Sequence, residues 1–215
     1  MNHIDHIYII VSKHYESTRY QYLQDNLAPL FNTNYITFFE PYYKGRDSID
    51  MITSKLGTLK HRLSIGAGML YMTYYKLLLD ILESKYQTVL ILESDVLFDK
   101  DNLINNINQV INDWIQLKDR NSMIFLGNGC NFKPSKNQHI SNTCLYKTNA
   151  SKCTDSMIWT NEVCQSLLKN MFPIELPIDL HINQVSQSNQ FNCYWIENPI
   201  FIQGSQNGTY QSTIS

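Results

Sequence analysis

The stretch VLILESDVLF, residues 89–98, sets Glu93 and Asp95 one residue apart inside an otherwise apolar run. A carboxylate among apolar neighbours is costly unless it is paired, hydrogen-bonded or holding a cation. In an extended segment residues i and i+2 share a face, so the two acids stand side by side with Ser94 on the other face. Like charges so placed raise each other's pKa unless a cation relieves them. Mn2+ and Mg2+ take oxygen ligands of this kind and keep positions for water and phosphate oxygens. The plainer reading is a strand ending at a solvated acidic turn. Val96-Leu97-Phe98 speaks against it by returning at once to the interior.

The elements around this stretch alternate. HIYIIVS (6–12) reads as a buried strand, YESTRYQYLQDNLAPLF (15–31) as a helix, and NYITFFEP (34–41) as a second strand. Residues 41–60 read as a loop with a short helix, and SIGAGMLYMTYYKLLLDILES (64–84) as a long helix. QTVLILE is then a third strand, DKDNLINNINQVINDWIQL a helix, and SMIFLGNG (122–129) a fourth strand entering a glycine turn. This order predicts an α/β fold with a mostly parallel central sheet, helices on both faces and a smaller mixed C-terminal part. Ligands of such sheets bind beyond the carboxyl ends of the strands, where Glu93 and Asp95 fall. After Gly129 the pieces shorten: TCLYKT, CTDSMIWT, a helix NEVCQSLLKNMF, a segment LPIDLHINQVSQS, the strands NCYWIE and PIFIQ, and a polar tail GSQNGTYQSTIS. No linker or repeat divides the chain, so one domain is expected.

Composition excludes some classes. The 215 residues are 43% hydrophobic and 17% charged, with a net charge of −2 and no basic run, which gives nucleic acid no face to bind. No stretch approaches the roughly 18–20 apolar residues of a membrane span, and the short apolar run Ile7–Val11 is no signal peptide. Five cysteines with no CxxC pair read as reduced thiols, and with them a cytoplasmic protein is expected. The glycosylation patterns at Asn149 and Asn207 are then accidental. GAGMLY follows no strand and reads as close helix packing, Asn128 and Gly129 read as a turn, and Walker A, GxSxG and HExxH motifs are absent.

VLILESDVLF resembles the metal-binding DxD region of GT-A glycosyltransferases, and is similar to the ILEDDV form of glycosyltransferase family 25, which includes lipooligosaccharide and procollagen galactosyltransferases and proteins of large DNA viruses. IYIIVSKHYESTRY resembles that family's first strand and nucleotide-facing turn, SMIFLGNG its strand ending in Leu-Gly, TDSMIWTNEVCQSLL its strand-then-helix segment, LPIDLHI its Pro-x-Asp, and PIFIQGSQNGTYQSTIS its C-terminal Ser-Thr-Ile ending. The family's Gly-Cys-x-x-Ser-His is missing; GMLYMTY stands in its place.

The resemblance implies a GT-A-like domain over 1–215, with 1–129 the nucleotide-sugar and metal half and 130–215 the acceptor half and tail. It implies transfer of a hexose, galactose or glucose, from a UDP-sugar to a hydroxyl of a glycan or glycoprotein, by an inverting route. The cation, Mn2+ or Mg2+, is expected on Asp95 and Glu93, with His181 as a third ligand. Ser12, Arg19, Glu93, Gln203, Ser205 and Gln206 are the expected donor contacts. Asp179 is the candidate general base and Asp155 the alternate, although Asp179 before LHINQV also fits a helix N-cap. A catalytically idle glycosyltransferase-like module that binds a glycan or a partner protein is the alternative reading.

Overall fold

The computed structural model describes residues 3–43, 45–55, 63–148, 150–151, 153–188 and 190–211. Asn149 and the Ser-Thr-Ile ending lie outside them. Seven strands form one sheet in the order β2-β1-β3-β7-β5-β8-β6. They are β1 (His6–Ile10), β2 (Ile36–Phe39), β3 (Thr88–Glu93), β5 (Ser122–Phe125), β6 (Leu145–Thr148), β7 (Ser156–Thr160) and β8 (Asn192–Ile196). β1 pairs in parallel with β2 and β3, and β5 with β8, whereas β7 is antiparallel to both β3 and β5 and β6 is antiparallel to β8. Most strands therefore run one way, with β7 and β6 opposed. A second, two-stranded antiparallel sheet joins β4 (Val96–Phe98) to β9 (Phe201–Gln203), through Val96↔Gln203 and Phe98↔Phe201.

The period-2 alternation within the central strands feeds two cores. Tyr8, Ile10, Val89 and Ile91 face one side, packed with α3 (Ile65–Ser84), α5 (Asn161–Asn170) and α6 (Ile178–Gln187). Ile7, Ile9, Leu90 and Leu92 face the other, covered by α1 (Ser17–Asn26) and α4 (Leu103–Gln116). A short helix, α2 (Asp50–Thr53), precedes α3. α3 starts where Ser64 caps it, the Ala67 N–H donating to Ser64 Oγ at 3.1 Å, and stops where Lys85 turns left-handed at φ 61°. Two elements differ from the sequence reading. The first helix ends at Asn26, because Pro29 follows in a separate turn, and LPIDLHINQVSQS is a helix rather than an irregular segment. Among the described residues no helix is long and apolar enough to cross a membrane.

The connectivity creates the site. From β1 the chain moves outward to β2 and then returns past β1 to β3, so the connections diverge at the carboxyl ends of β1 and β3. A divergence of this kind opens a crevice. Glu93 is the last residue of β3.

Candidate active site

The expectation of one extended run through Glu93 and Asp95 is corrected. β3 ends at Glu93, the chain turns at Ser94 and Asp95, and β4 then begins. The turn still leaves the acids close enough for Asp95 to act on Glu93, and Ser94, expected to face away from them, lines the same cleft as Glu93. Its buried hydroxyl donates to Glu16 Oε1 at 2.6 Å and accepts from Arg19 Nη1 at 2.9 Å.

Glu93 keeps a partly exposed rim, but its carboxyl is enclosed. Oε1 accepts from Thr154 Oγ1 at 2.6 Å and from the Tyr74 hydroxyl at 3.0 Å, and its backbone N–H donates to Asp155 O at 2.8 Å. Burial pushes the Glu93 pKa up from 4.5 to about 8; the charges of Asp95 and Asp155 add to the rise, and the Thr154 and Tyr74 hydroxyls oppose it. In cation-free protein the folded state therefore holds a proton that the unfolded chain has released, between about pH 4.5 and 8. Stability from this group is fully present below pH 4.5 and is lost as pH rises through about 8. Glu93→Gln is expected to flatten that decline in urea unfolding run with chelator from pH 5 to 8.5. Equal slopes in both proteins would mean that Glu93 is ionised throughout.

Asp95 is 5% exposed. Its backbone oxygen accepts from Gly204 N at 2.8 Å and its Oδ2 from Ser205 N at 3.2 Å, while Oδ1 is buried with no hydrogen-bond partner. An ionised oxygen left so is expensive, and a cation is the kind of group that satisfies it. A cleft of about 70 Å³ opens beside Glu93, lined by Ile10, Glu16, Tyr42, Met69, Thr73 and Ser94 among others.

The tail reaches Asp95 through Gly204 and Ser205. Gln203 N donates to Asn128 Oδ1 at 2.8 Å, fixing the end of β9, and the Gln203 and Gln206 side chains bond to each other. Gly204 has no room for a side chain, since a Cβ there would stand 2.5 Å from the Tyr210 ring and 2.8 Å from Asp95 O. Arg19 holds the far end: its guanidinium lies 4.9 Å from the Tyr210 ring centre and donates to Gln211 O. The same side chain is buried against Glu16 at 2.9 Å. Arg19 thus clamps the turn after β1 to the tail. Ser12 is fully buried, its Oγ donating to Glu40 Oε1 at 2.7 Å and its N–H to Glu16 Oε2 at 2.9 Å. Both residues have structural partners in the fold.

Asp155 and Asp179 both approach Cys153 closely enough for their charges to raise its thiol pKa, and Asp155 also acts on Glu93. Asp155 is 1% exposed and lies directly on the backbone of Gly127, where a Cβ would fall 1.6 Å from Asp155 Oδ2. Gly127→Ala must therefore displace Asp155. The expected loss is about 1–3 kcal/mol, the usual range for overpacking a filled site, read as a fall in the unfolding midpoint; an unchanged midpoint would contradict the contact. Asp179 is half-buried in the first turn of α6. The N-cap expectation is corrected, because Pro177 holds that position and Asp179 is already helical.

His181 lies further along α6, buried with its ring 5.5 Å from that of Tyr71. Burial lowers its pKa, and its Nε2 has no partner. Among the described residues no group of three or more His, Cys, Asp and Glu side chains is placed to hold one cation, so His181 is not joined to Glu93 and Asp95 as a third ligand. Sequence reasoning missed Tyr74, Thr154 and Glu16, which position the acids and the turn. Tyr74 looks like any apolar-face residue of α3, and no local pattern marks the other two.

No protein-family model matches the chain, and no curated protein matches it. Membership of glycosyltransferase family 25 and an origin in a large DNA virus thus gain no support from these comparisons. Among solved structures, the crystal structure of mannose-1-phosphate geranyltransferase from Thermus thermophilus superposes over 94% of this chain and 74% of that one, with a TM-score of 0.46 and 9% identity.

Proposed function

We propose that the chain is a metal-dependent glycosyltransferase that moves a hexose from a UDP-sugar to a hydroxyl of a glycan or glycoprotein. The observation that carries this reading is the unpartnered, buried Oδ1 of Asp95, beside a second enclosed carboxylate at the crevice between β1 and β3. The donor set is all oxygen and fits Mn2+ or Mg2+, which is commonly held by one or two carboxylates with water and phosphate oxygens completing the shell. Asp95 and Glu93 would hold that cation. When bound, it would supply charge to balance a departing diphosphate.

The remaining roles fall to the chain itself. The cleft lined by Tyr42 and Met69 offers apolar surface for a base next to Glu93. The tail from Gly204 to Gln206 covers Asp95 and would exclude water from the diphosphate, limiting hydrolysis in favour of transfer. Asp179, half-buried in the first turn of α6, is assigned as the base that takes the proton of the acceptor hydroxyl as it attacks the anomeric carbon. One displacement of this kind inverts the configuration. The five free thiols fit action in the reducing cytoplasm.

A thermal-shift panel of nucleotide sugars with and without Mn2+ tests the reading. A donor binding only the folded state at about 100 times its Kd adds about 2.7 kcal/mol. A UDP-hexose is expected to raise Tm when Mn2+ is present and to do little with chelator. Should no nucleotide sugar raise Tm under either condition, the transferase reading fails and the idle binding module takes its place.

A further inference from the structure

Cys130 lies in the tight turn after β5, exposed to solvent, and Cys153 in the loop that enters β7. Their sulfurs are 3.1 Å apart. The backbone is bent to bring them there: Cys130, Asn131 and Cys153 have φ of 48°, 57° and 61°, a left-handed region that side chains other than glycine seldom occupy. The Gln206 amide nitrogen stands 3.7 Å from one sulfur and 3.8 Å from the other, so the tail rests on both. The remaining thiols are differently placed. Cys164 and Cys193 are buried, and Cys144 is half-buried against Asp113.

We propose that Cys130 and Cys153 are a redox-active pair that a small-molecule disulfide converts to a reversible intramolecular disulfide. Accessibility sets the order of events. The Cys130 thiolate, after losing its proton to solvent, attacks one sulfur of the small disulfide, forms a mixed disulfide and expels one small thiolate. The Cys153 sulfur then attacks Cys130 Sγ, losing its proton as it does so, and expels the second small thiolate. Two cysteine thiols lose two electrons, and the oxidant gains them as two thiols. Burial, the neighbouring Cys130 and the charges of Asp155 and Asp179 hold Cys153 in its thiol form, so the exposed Cys130 makes the first attack, and Cys153 reacts second as the sulfur held against it.

The bond would tie the turn after β5 to the loop that carries Thr154 and Asp155. Thr154 holds Glu93 Oε1 and Asp155 fills the space over Gly127, so the pair is built into the scaffold of the acidic site. The chemistry of the pair is independent of which substrate that site takes.

The full chain, reduced and desalted, is incubated with oxidised glutathione, quenched in acid, denatured and alkylated with N-ethylmaleimide. Expected are three alkylated thiols of the five, no retained glutathione, and a linked peptide joining Cys130 to Cys153, with all five thiols recovered after dithiothreitol. Cys153→Ser is expected to stall with one glutathione on residue 130, and Cys130→Ser to keep its remaining thiols alkylatable. Five alkylated thiols in the oxidised wild type, a mixed disulfide that never resolves, or a link through Cys144, Cys164 or Cys193 would each overturn the proposal. The wild-type peptide map decides this even if a serine variant does not fold.

Discussion

Asp95→Asn is expected to fold and to lose metal-dependent UDP-sugar turnover by a factor of about a thousand or more. The amide keeps an oxygen for Ser205 N, and the backbone bond from Gly204 N to Asp95 O is untouched, so the tail retains its anchor. What changes is the atom at the unpartnered Oδ1 position and the charge. An amide nitrogen buried there without an acceptor costs about 1–3 kcal/mol. That change is small against the stability of a domain of this size. A bound cation contributes several kcal/mol of transition-state charge stabilisation, and each 1.36 kcal/mol is about tenfold in rate. Circular dichroism and turnover of UDP-galactose and UDP-glucose with Mn2+ measure the two effects. Turnover close to wild type in a folded Asp95→Asn would remove Asp95 from the site.

Asp179→Asn is expected to lower transfer by about 10²–10⁴, the usual worth of a general base, while leaving UDP binding in place. Because Pro177 occupies the N-cap, the substitution removes no capping bond. Its structural cost is confined to the favourable interaction of a carboxylate with the helix N-terminus, about 0.3–1 kcal/mol. The two roles therefore separate cleanly: a carboxylate that only stabilises α6 predicts near-normal transfer with a small fall in Tm. If transfer survives, the base assignment passes to Asp155, whose 1% exposure requires the Gly127 region to open before an acceptor could reach it.

The first half of the chain was largely legible because apolar strand-length runs alternate there with helix patterns. Val89–Leu92 is apolar throughout because its two faces, Val89 and Ile91 against Leu90 and Leu92, each meet a helix layer. β7 shows why the second half was not. SMIWT is buried along its whole length and reads the same whichever way the strand runs, so nothing in it announces an antiparallel strand between β3 and β5. The acids themselves stood out because carboxylates are costly among apolar residues. The tail residues Gln203, Ser205 and Gln206 reach the site only through the pairing of β4 with β9, which three-residue strands do not signal. Resemblance alone suggested a role for them. Ser12 and Arg19 are a different case. Position after β1 suggests a donor contact, but their partners Glu16 and Glu40 can be identified only once the fold is known.

Calorimetric titration of UDP into the wild-type chain, once with Mn2+ and once with chelator, tests most directly whether the acids at the end of β3 serve a nucleoside diphosphate through a cation. Saturable binding is expected with Mn2+, and a loss of at least about a hundredfold in affinity with chelator, some 2.7 kcal/mol. Equal affinity under both conditions would contradict that role.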